Sequence, residues 1–124
     1  MTISGPSFIS LQVRDLDASA TFYEHVVGLT RAAMSPPHAV VFGTQPIAFA
    51  VRDLAPGVDL DAGPVGNGVA LWFYDPEGEA LHASLGEAGV TIPSEPITGP
   101  FGYTFTFLDP DGYAITVHNQ LSPA

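Results

Sequence analysis

Any chemistry in this chain has to be done with few reactive side chains. Its 124 residues include no cysteine, and the only fixed cations are Arg14, Arg31 and Arg52, so lysine is absent too. Disulfides, thiolate metal sites and cysteine nucleophiles are thereby excluded, as are lysine Schiff bases. What remains to move a proton or hold a ligand is four histidines (His25, His38, His82 and His118) and a set of aromatic residues gathered near the C-terminus.

Most of those aromatics lie in Phe101-Gly-Tyr-Thr-Phe-Thr-Phe-Leu-Asp-Pro-Asp-Gly-Tyr-Ala-Ile-Thr-Val-His118. Aromatic and β-branched residues alternate with small or hydroxylated ones on both sides of Asp109-Pro-Asp-Gly112, which reads as two strands joined by a tight turn. Proline presets φ in such a turn, aspartate bonds to its own backbone and glycine accepts a positive φ. Phe101, Tyr103, Phe105 and Phe107 form a stripe on the first strand. Phe105 and Phe107 suit core packing, and Phe101 and Tyr103 suit a pocket mouth. On the second strand Thr116 and His118 share a face, which makes His118 a candidate proton shuttle or ligand contact. Tyr103 is the second acid–base candidate. His38 follows Pro36-Pro37 in a loop able to flank a cavity, whereas His25 and His82 sit on predicted helices and read as solvated. There is no nucleophile elbow and no phosphate loop.

The elements that position these residues come in the same order twice. Residues 8–13 alternate as a strand. Residues 15–28 form a predicted helix with Asp15 as N-cap and Gly28 past its end. Three β-like runs follow, at 30–34, 39–43 and 47–51, broken by Ser35-Pro-Pro37 and Thr44-Gln-Pro46. Residues 52–67 are rich in Pro, Gly and Asp and read as a linker. Then come a strand at 68–74, a helix at 75–89 with Asp75 as N-cap and Pro76 at its first position, a short strand starting at 90–92, and the C-terminal hairpin. The expectation is an α+β fold of two βαβββ modules, about 6–51 and 68–120, in one domain spanning 1–124. The modules form a half-open β-barrel around a cavity with the helices on its outer face. On the first strand Phe8, Ser10 and Gln12 share the cavity face. Trp72 shares the corresponding face of the fifth strand, and Phe42 is placed at the lining as well.

Thirteen acidic residues against three arginines leave a formal net charge of −10. That disfavours nucleic acid, which needs basic groups to displace counterions, and anionic membrane surfaces, while it attracts cationic ligands. No apolar run of about 18 residues spans a membrane, and residues 1–8 lack the basic start and apolar run of a signal peptide, so the expected location is the cytoplasm. Charged residues make up only 13% of the chain, the pattern of a protein that hides surface in an oligomer, and a homodimer is expected.

The element order, with Val13-Arg-Asp-Leu-Asp-Ala-Ser-Ala-Thr-Phe-Tyr-Glu-His-Val-Val-Gly-Leu29 near the start and Leu108-Asp-Pro-Asp-Gly-Tyr-Ala-Ile-Thr-Val117 near the end, resembles the vicinal oxygen chelate superfamily. That group includes glyoxalase I, bleomycin-resistance proteins, fosfomycin-resistance enzymes and extradiol dioxygenases. The resemblance implies paired modules and a divalent metal that polarises a substrate oxygen. Carried over position by position, however, its ligand sites fall on Phe8, Gly68, the apolar run 47–51 and Thr116, where the family often has glutamate. No metal and no cofactor are therefore expected. The implied function is metal-independent binding of an aromatic or cationic, antibiotic-like small molecule, as in bleomycin-resistance proteins. The expected ligand contacts are Phe8, Ser10, Gln12, His38, Phe42, Trp72, Phe101, Tyr103, Thr116 and His118. The alternative is an enzyme of the same fold, either a metal-dependent lyase or dioxygenase or a metal-free isomerase or cyclase using His118 or Tyr103.

Overall fold

A computed structural model describes residues 2–122. The chain divides between Leu60 and Asp61 into two compact units, a point inside the stretch read as a linker. It is mixed α+β, with one helix and one sheet in each unit, and neither sheet closes on itself.

In the first unit β1 (Phe8–Val13) pairs in parallel with β3 (Ala48–Asp53), and β2 (Ala39–Phe42) pairs antiparallel to β3 on its other side. Between β1 and β2 runs α1 (Leu16–Thr21), which continues as a π-helical turn over Phe22–Val27. Asp15 caps it as expected, its carboxylate accepting from the Ala18 amide at 3.1 Å. Gly28 closes it with φ of 97° and donates its amide to the Tyr23 carbonyl at 3.1 Å, a left-handed conformation that a side chain disfavours. The alternation of β1 sends Leu11 and Val13 into the core and leaves Phe8 and Ser10 exposed. Under the helix, Tyr23, Phe42 and Phe49 are fully buried with ring centroids 5.0–6.2 Å apart.

The strand expected at 30–34 is reduced to a single bridge between Arg31 and Phe42. Backbone bonds continue from Ala32 to Val41 and from Gly43 to Thr30. Beyond them the Ser35 hydroxyl takes the Val41 amide at 3.0 Å, and Pro36 and Pro37 have no amide hydrogen to offer a ladder.

In the second unit the strand order is β4 (Leu71–Tyr74), β7 (Ala114–His118), β6 (Gly102–Leu108), β5 (Ile97–Gly99). β4 lies parallel to β7, and the other pairs are antiparallel. α2 spans Gly78–Glu87, shorter at its start than the expected 75–89. Asp75 does not cap it but folds the approach, accepting the Glu77 amide at 2.8 Å. The expected strand at 90–92 is absent as a strand. Thr91 accepts one backbone bond from Leu108, Pro93 follows, and the edge strand forms later at β5.

The β6–β7 turn is built as its residues dictate. The buried Asp109 carboxylate accepts from the amides of Asp111 and Tyr113 at 3.0 and 2.9 Å, and Gly112 sits at φ 98°.

Candidate functional site

The second unit's sheet has one face toward α2 and one open face. Register decides which residues share the open face. Trp72 lies opposite Thr116 and Tyr74 opposite His118, while across the β6–β7 pair Thr106 faces Thr116 and Thr104 faces His118. The hydroxyls of Thr106 and Thr116 are 2.8 Å apart and hydrogen-bonded. Around them stands an aromatic shelf with His118 at its centre. The His118 ring centroid is 5.6 Å from Trp72, 5.9 Å from Tyr74 and 5.7 Å from Phe101, and Phe101 meets Trp72 edge-on at 6.2 Å. Trp72 is 52% exposed and Tyr74 45%, a large aromatic surface for a chain to leave uncovered. The Nδ1 of His118 is 2.9 Å from the Gln120 carbonyl. A carbonyl only accepts, so Nδ1 carries the proton and Nε2 is the basic nitrogen of the neutral ring.

Tyr103 is not on this shelf. Phe101 and Tyr103, expected side by side, lie on opposite faces because Gly102 between them has φ of +81°, which breaks the two-residue alternation. Tyr103 and Phe105 face α2 and meet the His82 ring at 6.0 and 5.0 Å. His82 is therefore partly covered rather than simply solvated. Desolvation, and then the charges of Glu79 and Glu95, raise the Tyr103 phenol above its usual 10.0. A phenol held protonated in this way is a poor base, and it cannot act jointly with His118 through the sheet.

The first unit carries a cavity of about 620 Å³ on the open face of its own sheet. Its floor is small, formed by Ser10, Ala39 and Ala50, and Phe8 and Arg52 border it. Loops supply Pro36, Pro37 and His38 on one side and Asp53, Leu54 and Pro56 on the other. His38 is held with φ of 66°, a left-handed conformation uncommon outside glycine. Two contacts fix it there. Its carbonyl accepts the Asp53 amide at 2.9 Å, and its Nδ1 lies 3.1 Å from the Asp53 carboxylate.

Of the residues expected at a cavity, Phe8, Ser10 and His38 meet at this one, while Trp72, Phe101, Thr116 and His118 meet at the aromatic shelf. Three expected contacts are corrected: Tyr103, which faces α2, and two more. Phe42 is 0% exposed, because β2 turns it toward Tyr23 and Phe49 under the helix. Gln12 does not border the cavity but spends its carbonyl oxygen on the Ala55 amide at 2.7 Å, tying down the loop after β3. Sequence reading missed Arg52, and it put Tyr74 on the face of Trp72 without counting it as a contact. Arg52 falls in the stretch read as a linker, yet it continues the alternation of Ala48 and Ala50 on β3, and that spacing is a signal the sequence carries.

The profile of the Glyoxalase/Bleomycin resistance protein/Dioxygenase superfamily matches residues 5–117. The chain belongs to that superfamily. Among solved structures it is similar to TnmS3, an antibiotic binding protein from Streptomyces sp. CB03234, at 27% identity over 100% of this chain and 99% of that one, with a TM-score of 0.76. A glyoxalase/bleomycin resistance protein from the same Streptomyces source matches at 25% identity over 92% and 99% of the chains, with a TM-score of 0.73. A lactoylglutathione lyase from Agrobacterium tumefaciens, 21% identical over 95% of each chain with a TM-score of 0.68, shares the fold. No curated protein gives a significant match.

The metal that many members of this superfamily carry does not fit the residues present. At the corresponding positions Phe8 offers a ring, Gly68 nothing, and Thr116 a hydroxyl already bonded to Thr106. Neutral hydroxyls and rings are poor ligands for a divalent ion without charged partners. Among the described residues, no three His, Asp or Glu side chains cluster.

Proposed function

We propose that this protein binds an aromatic or cationic small molecule without a metal, in the manner of the antibiotic-binding members of its superfamily. The observation that carries this reading is the shelf of Trp72, Tyr74, Phe101 and His118. These rings lie within 6.2 Å of their neighbours, with Trp72 and Tyr74 exposed and Phe101 and His118 half-buried beside them. Such a surface stacks flat ligands and attracts cations through ring quadrupoles, and the net charge of −10 adds a long-range attraction. The likeness to an antibiotic binding protein over the full chain supports it. A homodimer that covers part of the exposed apolar surface, and a cytoplasmic location without nucleic-acid or membrane partners, belong to the same proposal.

Trp72 is the only tryptophan, so its emission reports the shelf alone. Proflavine, a planar aromatic cation, is expected to quench it saturably, with a titration curve unchanged by EDTA and weakened in His118→Ala. No saturable change with any of a panel of aromatic cations would sink the proposal.

The Nε2 of His118 favours a second reading, a metal-free acid–base enzyme. Turnover that survives chelation and disappears in His118→Ala, with ligand affinity retained, would establish it in place of simple binding.

A further inference from the structure

The cavity of the first unit has one feature that an apolar binding shelf does not require, a guanidinium. We propose that this cavity takes a flat apolar molecule bearing a carbonyl or carboxylate oxygen, and that Arg52 is the residue that recognises that oxygen. The proposal goes beyond the binding role above: it concerns the first unit's cavity rather than the shelf, and adds a chemical class and a specificity-determining residue.

Three observations carry it. First, the cavity has the size and lining of a ligand site. About 620 Å³ falls in the range of small-molecule pockets. Phe8, Pro36, Pro37 and Leu54 are flat or aliphatic walls, and the small Ser10 and Ala50 open the floor between them. Ser10 and Ala50 are register partners on adjacent strands, so the opening is a gap in the sheet's own side-chain layer.

Second, Arg52 is oriented but not consumed. Its Nε donates to the Asp53 carbonyl at 2.8 Å, which fixes the plane of the fork. Among the described residues no acceptor pairs with its two terminal nitrogens. A guanidinium has five N–H donors, and half-buried donors on a residue that borders a cavity gain most from an acceptor oxygen that arrives with the ligand. Arg31, by contrast, is consumed by Glu24 at 2.8 Å.

Third, the neighbouring acid is turned elsewhere. The Asp53 carboxylate also borders the cavity, but it is 3.1 Å from the His38 Nδ1. That contact, with the backbone bond from Asp53 to His38, holds the Pro36–Pro37–His38 wall in place before any ligand enters. Preorganisation of this kind lowers the ordering cost of binding.

The test follows the three arginine Nε–H resonances of protein labelled with 15N-arginine, the Arg52 signal being assigned by its loss in Arg52→Lys. Three probes of one shape are titrated: 2-naphthoate, 2-acetylnaphthalene and 2-ethylnaphthalene. The acid, the ketone or both are expected to bind at least about tenfold more tightly than the hydrocarbon and to shift the Arg52 resonance. Which one leads separates a charged ligand from a neutral one. Arg52→Gln should remove the advantage while leaving the far-UV circular dichroism unchanged, and Ser10→Phe should abolish binding of all three with Arg52 in place. Equal affinities for the three probes, a shift confined to Arg14 or Arg31, or no binding at all would overturn the proposal. The wild-type resonance shift needs no variant, so a misfolded Arg52→Gln leaves the test intact. Proflavine quenching of Trp72 is run beside it. Quenching without naphthyl binding would sink the Arg52 inference alone, and loss of both would sink the binding role as well.

Discussion

Phe42 and Phe101 show how one residue type takes opposite tasks. Phe42 is fully enclosed by Tyr23 and Phe49, whereas Phe101 leans on Trp72 and His118 at the surface. Phe42→Ala is therefore expected to cost about 3–5 kcal/mol of stability, read from urea unfolding, with ligand affinity unchanged in the fraction that stays folded. Phe101→Ala should do the reverse, costing little stability and weakening proflavine binding. Tyr103 makes a second prediction at this scale. Its folded-state value is raised above 10.0 by desolvation first and by Glu79 and Glu95 after it. Above pH 10 the unfolded chain therefore ionises before the folded one. The stability held by this phenol is fully present below that pH and lost as pH rises through the folded value. In an alkaline absorbance titration, the difference between wild type and Tyr103→Phe should have its midpoint above 10.0, and Glu79→Gln should lower it partway.

Two glycines do the decisive work among the elements, and they differ in what surrounds them. Gly28 ends α1 at φ 97° with nothing within 4 Å of where a Cβ would sit, while at Gly102, φ 81°, an added Cβ would collide with Asn119 Oδ1 and come within 2.9 Å of Gln120 Cγ. That same Asn119 oxygen accepts the Tyr103 amide at 2.9 Å. Gly28→Ala should thus carry only the backbone penalty of about 1 kcal/mol. Gly102→Ala should cost clearly more and also shift Trp72 emission, because Gly102 is the joint that swings Phe101 away from the face of Tyr103. Comparable midpoints in thermal melts of the two variants would contradict this account.

Charge and surface act through the molecule as a whole. A net charge of −10 favours any cation approaching from solvent, and salt screens that attraction with a Debye length of about 10 Å at 0.1 M. Proflavine affinity should fall several-fold between about 0.05 and about 0.5 M NaCl, while 2-acetylnaphthalene, which is neutral, should bind equally well at both. The apolar side chains left exposed outside the shelf, among them Val69 and Ile97, suit an interface between copies. Sedimentation equilibrium is expected to give twice the 13.0 kDa chain mass. A monomer at every concentration would remove the homodimer from the proposal.

Much of this was legible in the sequence, because local rules write themselves into short stretches. Asp15 as cap, Gly28 as terminator, the Asp109–Gly112 turn and the two-residue alternation that exposes Trp72 beside the half-buried Leu71 and Phe73 all depend on neighbours within a few positions. Other features depended on distant neighbours. Phe42 is core because Tyr23 comes back over it from the helix. Gln12 is spent on Ala55, 43 residues away. Tyr103 and Phe101 part company because a glycine between them takes a positive φ, which the alternation of types does not reveal. Arg52 became a candidate recognition residue only when β3 extended past the expected strand end and put it on the border of the cavity that Phe8 and the Pro36–His38 loop also line. Periodicity fixes which residues can share a face, but only long-range packing decides what that face meets.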